Sequence, residues 1–540
     1  MLTMVLSPLS LWKNYDRKVM PLDVTVIKES EEEGYCEKLV YYNGEVSPHG
    51  CTRIFARLLT PNEKTDTVVL VMAEQHQALR TVDCTHFLQS GYAVLIVDYA
   101  GNAFDHDRFT IYPRALSFAN YDEKALFAPT ETPFKSCWYV WATVAMRSVT
   151  YLEDCGFTKI GLFGIGYGGA QMIKCAAVCQ GVLGAVTLYS PGFLPPEEDD
   201  PALLAVRVGV HTAAYAPCLQ APVLMLCCSN DTDGALDDIS EFCAQSSGYA
   251  IYYAEPRMSR GKTIHIETNI ELFFKKMFEG TLQPKLYKNV GIKAAGSENK
   301  VYYSLLQGTD NPIADEGHTE KLQFSNAMLY VSQGVKNPTY RNWRAIPLEK
   351  AGENDYFAYT EVYSSEKILY SYVCLERDGF IFSTPILKKI PSTLNVKAKA
   401  TDKKRLVYDS EMQIDDFFTS DQTMYPEIKT GPFGIEGIAA NTLNTYKIGN
   451  EVYSGEETGT LQLLLYSPST QNVTISIIDS ETYSTYSCVK QVSPENDWFK
   501  ILLNASDMKS ADGALSGWDK ALFLHIGAEN EVLVNSILWV

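Results

Sequence analysis

At 540 residues, with 46% hydrophobic and 21% charged side chains and no low-complexity tract, the chain has material for three or four compact units with sizeable cores. A formal net charge of −19 excludes wrapping nucleic acid, whose phosphates require clustered Lys and Arg, and otherwise reads as solubility. The N-terminus MLTMVLSPLSLWKNYDRKV lacks a basic segment followed by an apolar core and a cleavage site, and no later stretch reaches the roughly 20 apolar residues that span a bilayer; the expectation is a cytoplasmic protein, neither exported nor membrane-embedded.

Thirteen cysteines lie mostly in the first half, often inside apolar runs, as with Cys175 and Cys179 or Cys227 and Cys228. Free cysteine behaves as a small buried hydrophobe, so these read as core thiols in a reducing compartment. No CxxC pair or Cys/His spacing suggests zinc, and no cofactor or metal is expected.

To about residue 287, short apolar strands alternate with helix-length segments. The strands are TVVLVMA (Thr67 to Ala73), YAVLIVDYA (Tyr92 to Ala100), KIGLFG (Lys159 to Gly164), VLGAVTLYS (Val182 to Ser190) and APVLMLCC (Ala221 to Cys228). Near-continuous apolar runs suit strands buried on both faces of a parallel sheet. Between them, Thr132 and Pro133 predict a helix start, and Phe134, Trp138, Trp141, Ala145, Val149 and Leu152 recur at helical spacing. Strand, helix, strand is the doubly wound α/β class. From 288 to about 393 the alternating KVYYSLLQG, AMLYVSQG, DYFAYTEVY, ILYSYVCLE and GFIFSTPILKKIP predict a small β-sandwich. From 394 to 540, TGTLQLLLYS, NVTISIID, DWFKILLNA, KALFLHIG and EVLVNSILWV have the spacing of a jelly roll.

The informative segment is KIGLFGIGYGGAQMIKCAAV, Lys159 to Val178: a buried strand, a tight glycine turn, then a helix rich in small residues. Gly164, Gly166 and Gly169 satisfy the dinucleotide pattern GxGxxG. That pattern alone is weak, because such a loop follows the first strand of its unit and an acid ends the next strand. This loop follows several strands, and VLGAVTLYSP ends without an acid. The favoured alternative is a nucleophile elbow, G-x-S-x-G, with Gly164 and Gly168 as flanking glycines and Gly166 at the position normally held by serine.

On these residues the first half resembles the α/β-hydrolase superfamily. RIFARLLTP, QSGYAVLIVDYAGN, RSVTYLED and LYSPGF make it similar to the acetyl xylan esterase, cephalosporin deacetylase and dienelactone hydrolase group. The resemblance implies a relict triad: Asp231, three residues beyond Cys228, as the acid, and His265, ahead of the helix with Phe273, Phe274 and Met277, as the base. Family members cleave acyl esters by serine attack, with histidine carrying the proton and backbone N–H groups holding the oxyanion. Here the family's His-Gly at the oxyanion loop aligns with Ala73 and Glu74, and a carboxylate there repels a developing oxyanion unless it turns away. Tyr167 is expected to present its backbone N–H and its ring near the pocket, with His76 and His106 in loops on the same face.

The last unit resembles galactose-binding-like jelly rolls, a family of many carbohydrate-binding modules, and the middle one an immunoglobulin-like sandwich. Trp498, Trp518, Tyr425 and Phe433 are candidate sugar-stacking side chains, with core burial the competing reading, and Trp539 is expected in the core. Two lesions, the missing serine and Glu74, point to a catalytically silent relative that binds a carbohydrate, an acyl ester or a protein. The alternatives are an ester hydrolase of acylated sugars using water activated by His265 and Asp231, and a structural protein with a closed pocket.

Overall fold

The computed structural model describes residues 4–47, 50–101, 108–190, 203–307, 322–352, 355–494 and 497–540. The apolar runs of the first half lie together in one nine-stranded sheet, joined by three antiparallel strands from residues 25–61. Its strands are β1 (Thr25–Glu32), β2 (Tyr35–Ser47), β3 (Gly50–Pro61), β4 (Thr67–Met72), β5 (Ala93–Val97), β6 (Lys159–Ile165), β7 (Val182–Leu188), β8 (Val223–Cys228) and β9 (Ala250–Glu255). The spatial order is β1-β2-β3-β5-β4-β6-β7-β8-β9. Strands β1 to β3 and the β3–β5 pair are antiparallel, and β5 through β9 are parallel. Every residue of β4, β5, β8 and β9 is buried, as strands covered on both faces must be. The antiparallel edge strands escaped the sequence reading because β1, TVIKESEE, is mostly exposed and charged, which also protects that edge from pairing with another chain.

Eight α-helices are described: α1 (Pro8–Trp12), α2 (Thr85–Gln89), α3 (Cys137–Asp154), α4 (Tyr167–Val178), α5 (Leu204–Gly209), α6 (Leu236–Gln245), α7 (Ile264–Phe278) and α8 (Pro284–Lys288). One expectation is corrected here. Pro133–Lys135 is a separate 3-10 turn, and α3 starts afresh where the Ser136 hydroxyl accepts the Trp138 N–H at 3.3 Å. Trp138 and Trp141 then bury their rings and donate their indole N–H groups to Leu126 and Ala119 carbonyls, both at 2.8 Å, tying the preceding loop to the helix. Helix α4 packs against the end of β4 so closely that a Cβ on Gly168 would lie 2.1 Å from the Met72 carbonyl oxygen. The mostly parallel α/β sheet is therefore of the doubly wound class, and its strand–turn–helix at Gly164 to Gly168 lies mid-sheet.

Beyond Lys288 the described residues contain strands and short 3-10 turns but no α-helix. The described strands between residues 291 and 389 form two antiparallel sheets, built on Lys300–Leu306 and on Asn326–Gln333 with Leu369–Arg377. The described strands between residues 406 and 539 form an eleven-stranded antiparallel sheet system around the long strand Ala521–Trp539. These are additional all-β units.

The first two units share one continuous hydrophobic core, whereas the third has its own around Leu463, Ile475, Trp518 and Ile526. Polar contacts bind the shared interface. The Asn269 side chain donates to the Ile381 carbonyl at 2.8 Å and accepts its N–H at 2.9 Å, while Tyr252 donates its hydroxyl to the Thr384 carbonyl. Arg341, 1% exposed, pairs with Asp237 at 2.7 Å and lies 3.7 Å from the Tyr370 ring centre.

Candidate functional site

The turn between β6 and α4 places Gly166 at φ +55°, ψ −122°, a region L residues rarely occupy. Its N–H donates to the Leu188 carbonyl at 2.9 Å, and its own carbonyl accepts the Ser190 hydroxyl at 2.5 Å. Ser190 is fully buried beneath the turn and is not displayed at its tip. A Cβ at Gly166 would face Glu74, 3.5 Å from Oε1 and 3.6 Å from Cγ. Glu74 has thus not turned away. Its carboxylate lies over the empty position and pairs with Arg260, which reaches Asp233 with its other amino group at 3.0 Å. The Arg260 guanidinium also lies 4.6 Å from the Tyr189 ring centre, and Tyr189 donates its hydroxyl to the Gly261 carbonyl at 2.6 Å. Beside Glu74, a cavity of about 20 Å³ reaches Asp98, Tyr99 and Arg108, room for about one water molecule.

Asp231 follows β8 and is buried. Its Oδ1 accepts the N–H groups of Asp233 at 2.7 Å and Gly234 at 3.0 Å, and its Oδ2 is buried with no hydrogen-bond partner. Burial raises this carboxyl above its ordinary range, opposed by those two N–H groups and by Arg260. His265 stands in the first turn of α7, its side chain 52% exposed. Its Nδ1 lies 3.5 Å from Glu255 Oε1 and 3.5 Å from the Tyr253 hydroxyl. Among the described residues no hydrogen bond or ion pair joins Asp231 to His265. The physical reason is local. Thr263 caps α7 and donates its hydroxyl to Glu255, fixing that carboxylate at the end of β9, and the imidazole turns toward it.

The loop between β9 and α7 carries Arg260 to the turn and is held from three sides. Ser229 Oγ accepts the Arg257 N–H at 2.8 Å, and Asn230 donates its N–H to the Met258 carbonyl at 2.9 Å. From the third unit, Gln422 donates its N–H to the Arg257 carbonyl at 3.0 Å, and Asp421 accepts the N–H and hydroxyl of Ser259 at 3.0 and 2.9 Å. Asn230, next to Asp231, donates its amide to the carbonyls of Pro338, Thr339 and Arg341, so the second unit fixes the Asp231 loop.

The other expected residues are placed as follows. The Tyr167 ring stands edge-on to Trp138, centroids 5.2 Å apart, and burial pushes its phenol up to about 12. His76 stands edge-on to Tyr121 at 4.8 Å. His106 lies outside the described residues. Cys227 and Cys228 are fully buried, and burial pushes the Cys228 thiol up to about 12, unlike an activated nucleophile. Trp518 is fully buried against Trp539, centroids 5.4 Å apart, so sugar stacking by Trp518 is corrected to core packing. Tyr425 accepts a hydrogen bond from Arg257 Nη1 at 3.2 Å across the unit boundary. Trp498, half-buried, donates its indole N–H to the Pro432 carbonyl at 3.2 Å beside Phe433, which is 79% exposed.

Arg260, Glu255 and Tyr189 were not read from the sequence. Glu255 carried the only signal, an acid ending YAIYYAEP, where a carboxylate can reach the first turn of the next helix. Among the described residues no group of three or more His, Cys, Asp or Glu could hold a metal ion. No described helix is long and apolar enough to cross a membrane.

No family model and no curated protein matches the chain. Among solved structures it is similar to an acetyl xylan esterase from Paenibacillus sp. R4, at 14% identity and TM-score 0.40 over 48% of this chain and 90% of that one. It is similar to acetyl xylan esterase 1 from a Thermoanaerobacterium species at 13% identity and TM-score 0.40, over 49% and 89%. A putative dienelactone hydrolase from Klebsiella pneumoniae gives 16% and TM-score 0.30, over 43% and 91%. The first half of the chain has a mixed, mostly parallel nine-stranded α/β fold with a strand–glycine turn–helix at mid-sheet, and the rest adds antiparallel β units.

Proposed function

We propose that this chain is a catalytically silent relative of the carbohydrate and acyl esterases, in which Gly166 stands where a nucleophilic serine would and the hydrolase-like half serves binding rather than turnover. In this reading the units run 1–287, 288–393 and 394–540, the second immunoglobulin-like and the third galactose-binding-like, in a cytoplasmic protein whose ligand is a carbohydrate or acyl ester. One observation carries it: the space a side chain at Gly166 would enter is faced by the Glu74–Arg260 ion pair. Acyl transfer needs a nucleophile, an imidazole in reach of it and donors for the oxyanion. Gly166 offers no nucleophile, His265 engages Glu255, and Glu74 brings negative charge where it would have to be dispersed.

Turnover of p-nitrophenyl acetate tests this. The wild-type chain is expected to hydrolyse it no faster than buffer, His265→Ala to change nothing, and Gly166→Ser to remain silent because its hydroxyl would meet a carboxylate instead of an imidazole. Wild-type turnover that disappears in His265→Ala would instead establish water activation by the imidazole, with Glu255 or Asp231 as its orienting acid.

A further inference from the structure

The Gly166 turn is shut. Gly166 is buried although it is the tip of the turn that follows β6, and the cavity beside Glu74, about 20 Å³, holds about one water molecule. A carbohydrate or acyl ester has no room there until something moves. What faces the tip is Glu74 with its partner Arg260, and Arg260 rides on residues 256–263, the loop between β9 and α7.

None of residues 256–263 is buried, whereas every residue of β9 before them is. The loop can therefore lift without opening the core. Its ties divide between two units. From the first, Ser229 accepts the Arg257 N–H, Asn230 donates to the Met258 carbonyl and Tyr189 to that of Gly261. From the third, Asp421 Oδ1 accepts both the N–H and the hydroxyl of Ser259, Gln422 donates its N–H to the Arg257 carbonyl, and Tyr425 accepts from Arg257 Nη1. Ser259 directly precedes Arg260, so on that side the tie nearest the covering guanidinium comes from the third unit. Arg257 is held at φ +64°, which a long side chain rarely adopts. Such strain persists only where neighbours over-determine the backbone, and its relief favours lifting once a tie is lost.

The strap that supplies these ties is firmly mounted. Residues 419–424 close a turn, the Thr419 N–H on the Met424 carbonyl at 2.8 Å and the Met424 N–H on the Asp421 carbonyl at 2.9 Å. Phe418 pairs with Asn444 in the sheet of the third unit, and Asn444 donates its amide to the Thr419 carbonyl at 3.0 Å. Phe418 also belongs to the small apolar cluster that includes Val335 of the second unit. With a core of its own, the third unit can shift as a body, and the strap shifts with it. We propose that residues 256–263 are a lid on the Gly166 turn, shut by Arg260 and strapped down by Asp421 and Gln422, and that displacement of the third unit opens the turn. That a ligand then enters rests on the binding reading of the turn.

Alkylation of a thiol placed under the lid tests this without any ligand, so failure of the lid and failure of the binding reading are told apart. In the full-length Gly166→Cys chain, neutral iodoacetamide labels the introduced thiol, followed by peptide mass spectrometry. The limiting rate at high pH, where the thiol is fully ionised, reads access alone. Adding Asp421→Ala is expected to raise that rate about tenfold, and adding Arg260→Ala at least as much. Asp421→Ala should add nothing on top of Arg260→Ala, because both remove the same cover. Fully buried Cys175 stays unlabelled as long as the fold is intact. If Cys175 becomes labelled, residue-resolved hydrogen exchange of the wild-type and Asp421→Ala chains decides instead. There the Arg257 amide, accepted by Ser229 and not by Asp421, should exchange about tenfold faster in the variant. An unchanged rate in Asp421→Ala by the deciding measurement, parent labelling already as fast as at exposed Cys155, or effects of Asp421→Ala and Arg260→Ala that multiply would each overturn the lid.

Discussion

Gly166 holds φ +55° and ψ −122° while the nearest atoms to its missing Cβ lie at 3.5 Å or more, an ordinary contact distance. The cost of any side chain there is therefore backbone strain rather than collision. Gly166→Ala and Gly166→Ser are both expected to lower stability by about 1–3 kcal/mol in urea unfolding, nearly equally, because the strain is indifferent to the hydroxyl. Lys174 tests a different residue-scale effect. It is fully buried on α4, its ammonium 4.9 Å from the Trp138 ring centre, and desolvation lowers it from 10.5 to about 7. Between these values the unfolded chain binds a proton that the native chain does not, so stability rises with pH from about 7 toward 10.5. The Lys174→Met variant should be the more stable near pH 7, and its advantage should shrink by roughly 2 kcal/mol by pH 9, read from paired urea titrations. The glycine turn, Asp231 and His265 were legible as residues because motif and chain order mark them. Their surroundings were not, since the Thr263 hydroxyl that holds Glu255 beside His265 belongs to no motif.

At the scale of elements, the segments that hold the turn in place belong to different units. Arg341 shows how closely they are coupled. It pairs with Asp237 at the start of α6 and donates to the carbonyls of Val335 and Lys336, at 3.0 and 2.8 Å. Removing one member of a buried pair leaves the other charge poorly solvated, at roughly 3–5 kcal/mol. Because Lys388 also approaches Asp237, at 3.1 Å, the lower end is expected. Arg341→Ala should cost about 3 kcal/mol in denaturant unfolding. The parallel strands were read correctly because burial on both faces writes an uninterrupted apolar run. The strand Glu436–Thr445 was missed because EGIAANTLNT has no such run, although it pairs along Ala521–Trp539. The start of α3 was placed too early because Thr132 and Pro133 are a good opening pair on paper, while Ser136 makes the capping bond.

Across the whole molecule, one core runs through the first two units and a second core belongs to the third, bridged by the small cluster of Val335, Phe418, Tyr446, Ile478 and Leu522. Scanning calorimetry should therefore resolve two transitions, the first and second units melting together and the third separately. A single transition for all three, or separate melting of the first and second, would contradict this division. Sequence alone determined what local chemistry encodes: the alternating α/β order, the change to β structure after residue 288, and a glycine at the tip of the turn. Those depend on periodicity and on conformations available to single residues. Tertiary structure alone decided that Glu74 and Arg260 cover that glycine, that His265 turns to Glu255, and that Trp518 is core. These follow from contacts between residues up to 186 positions apart, whose partners no local pattern names.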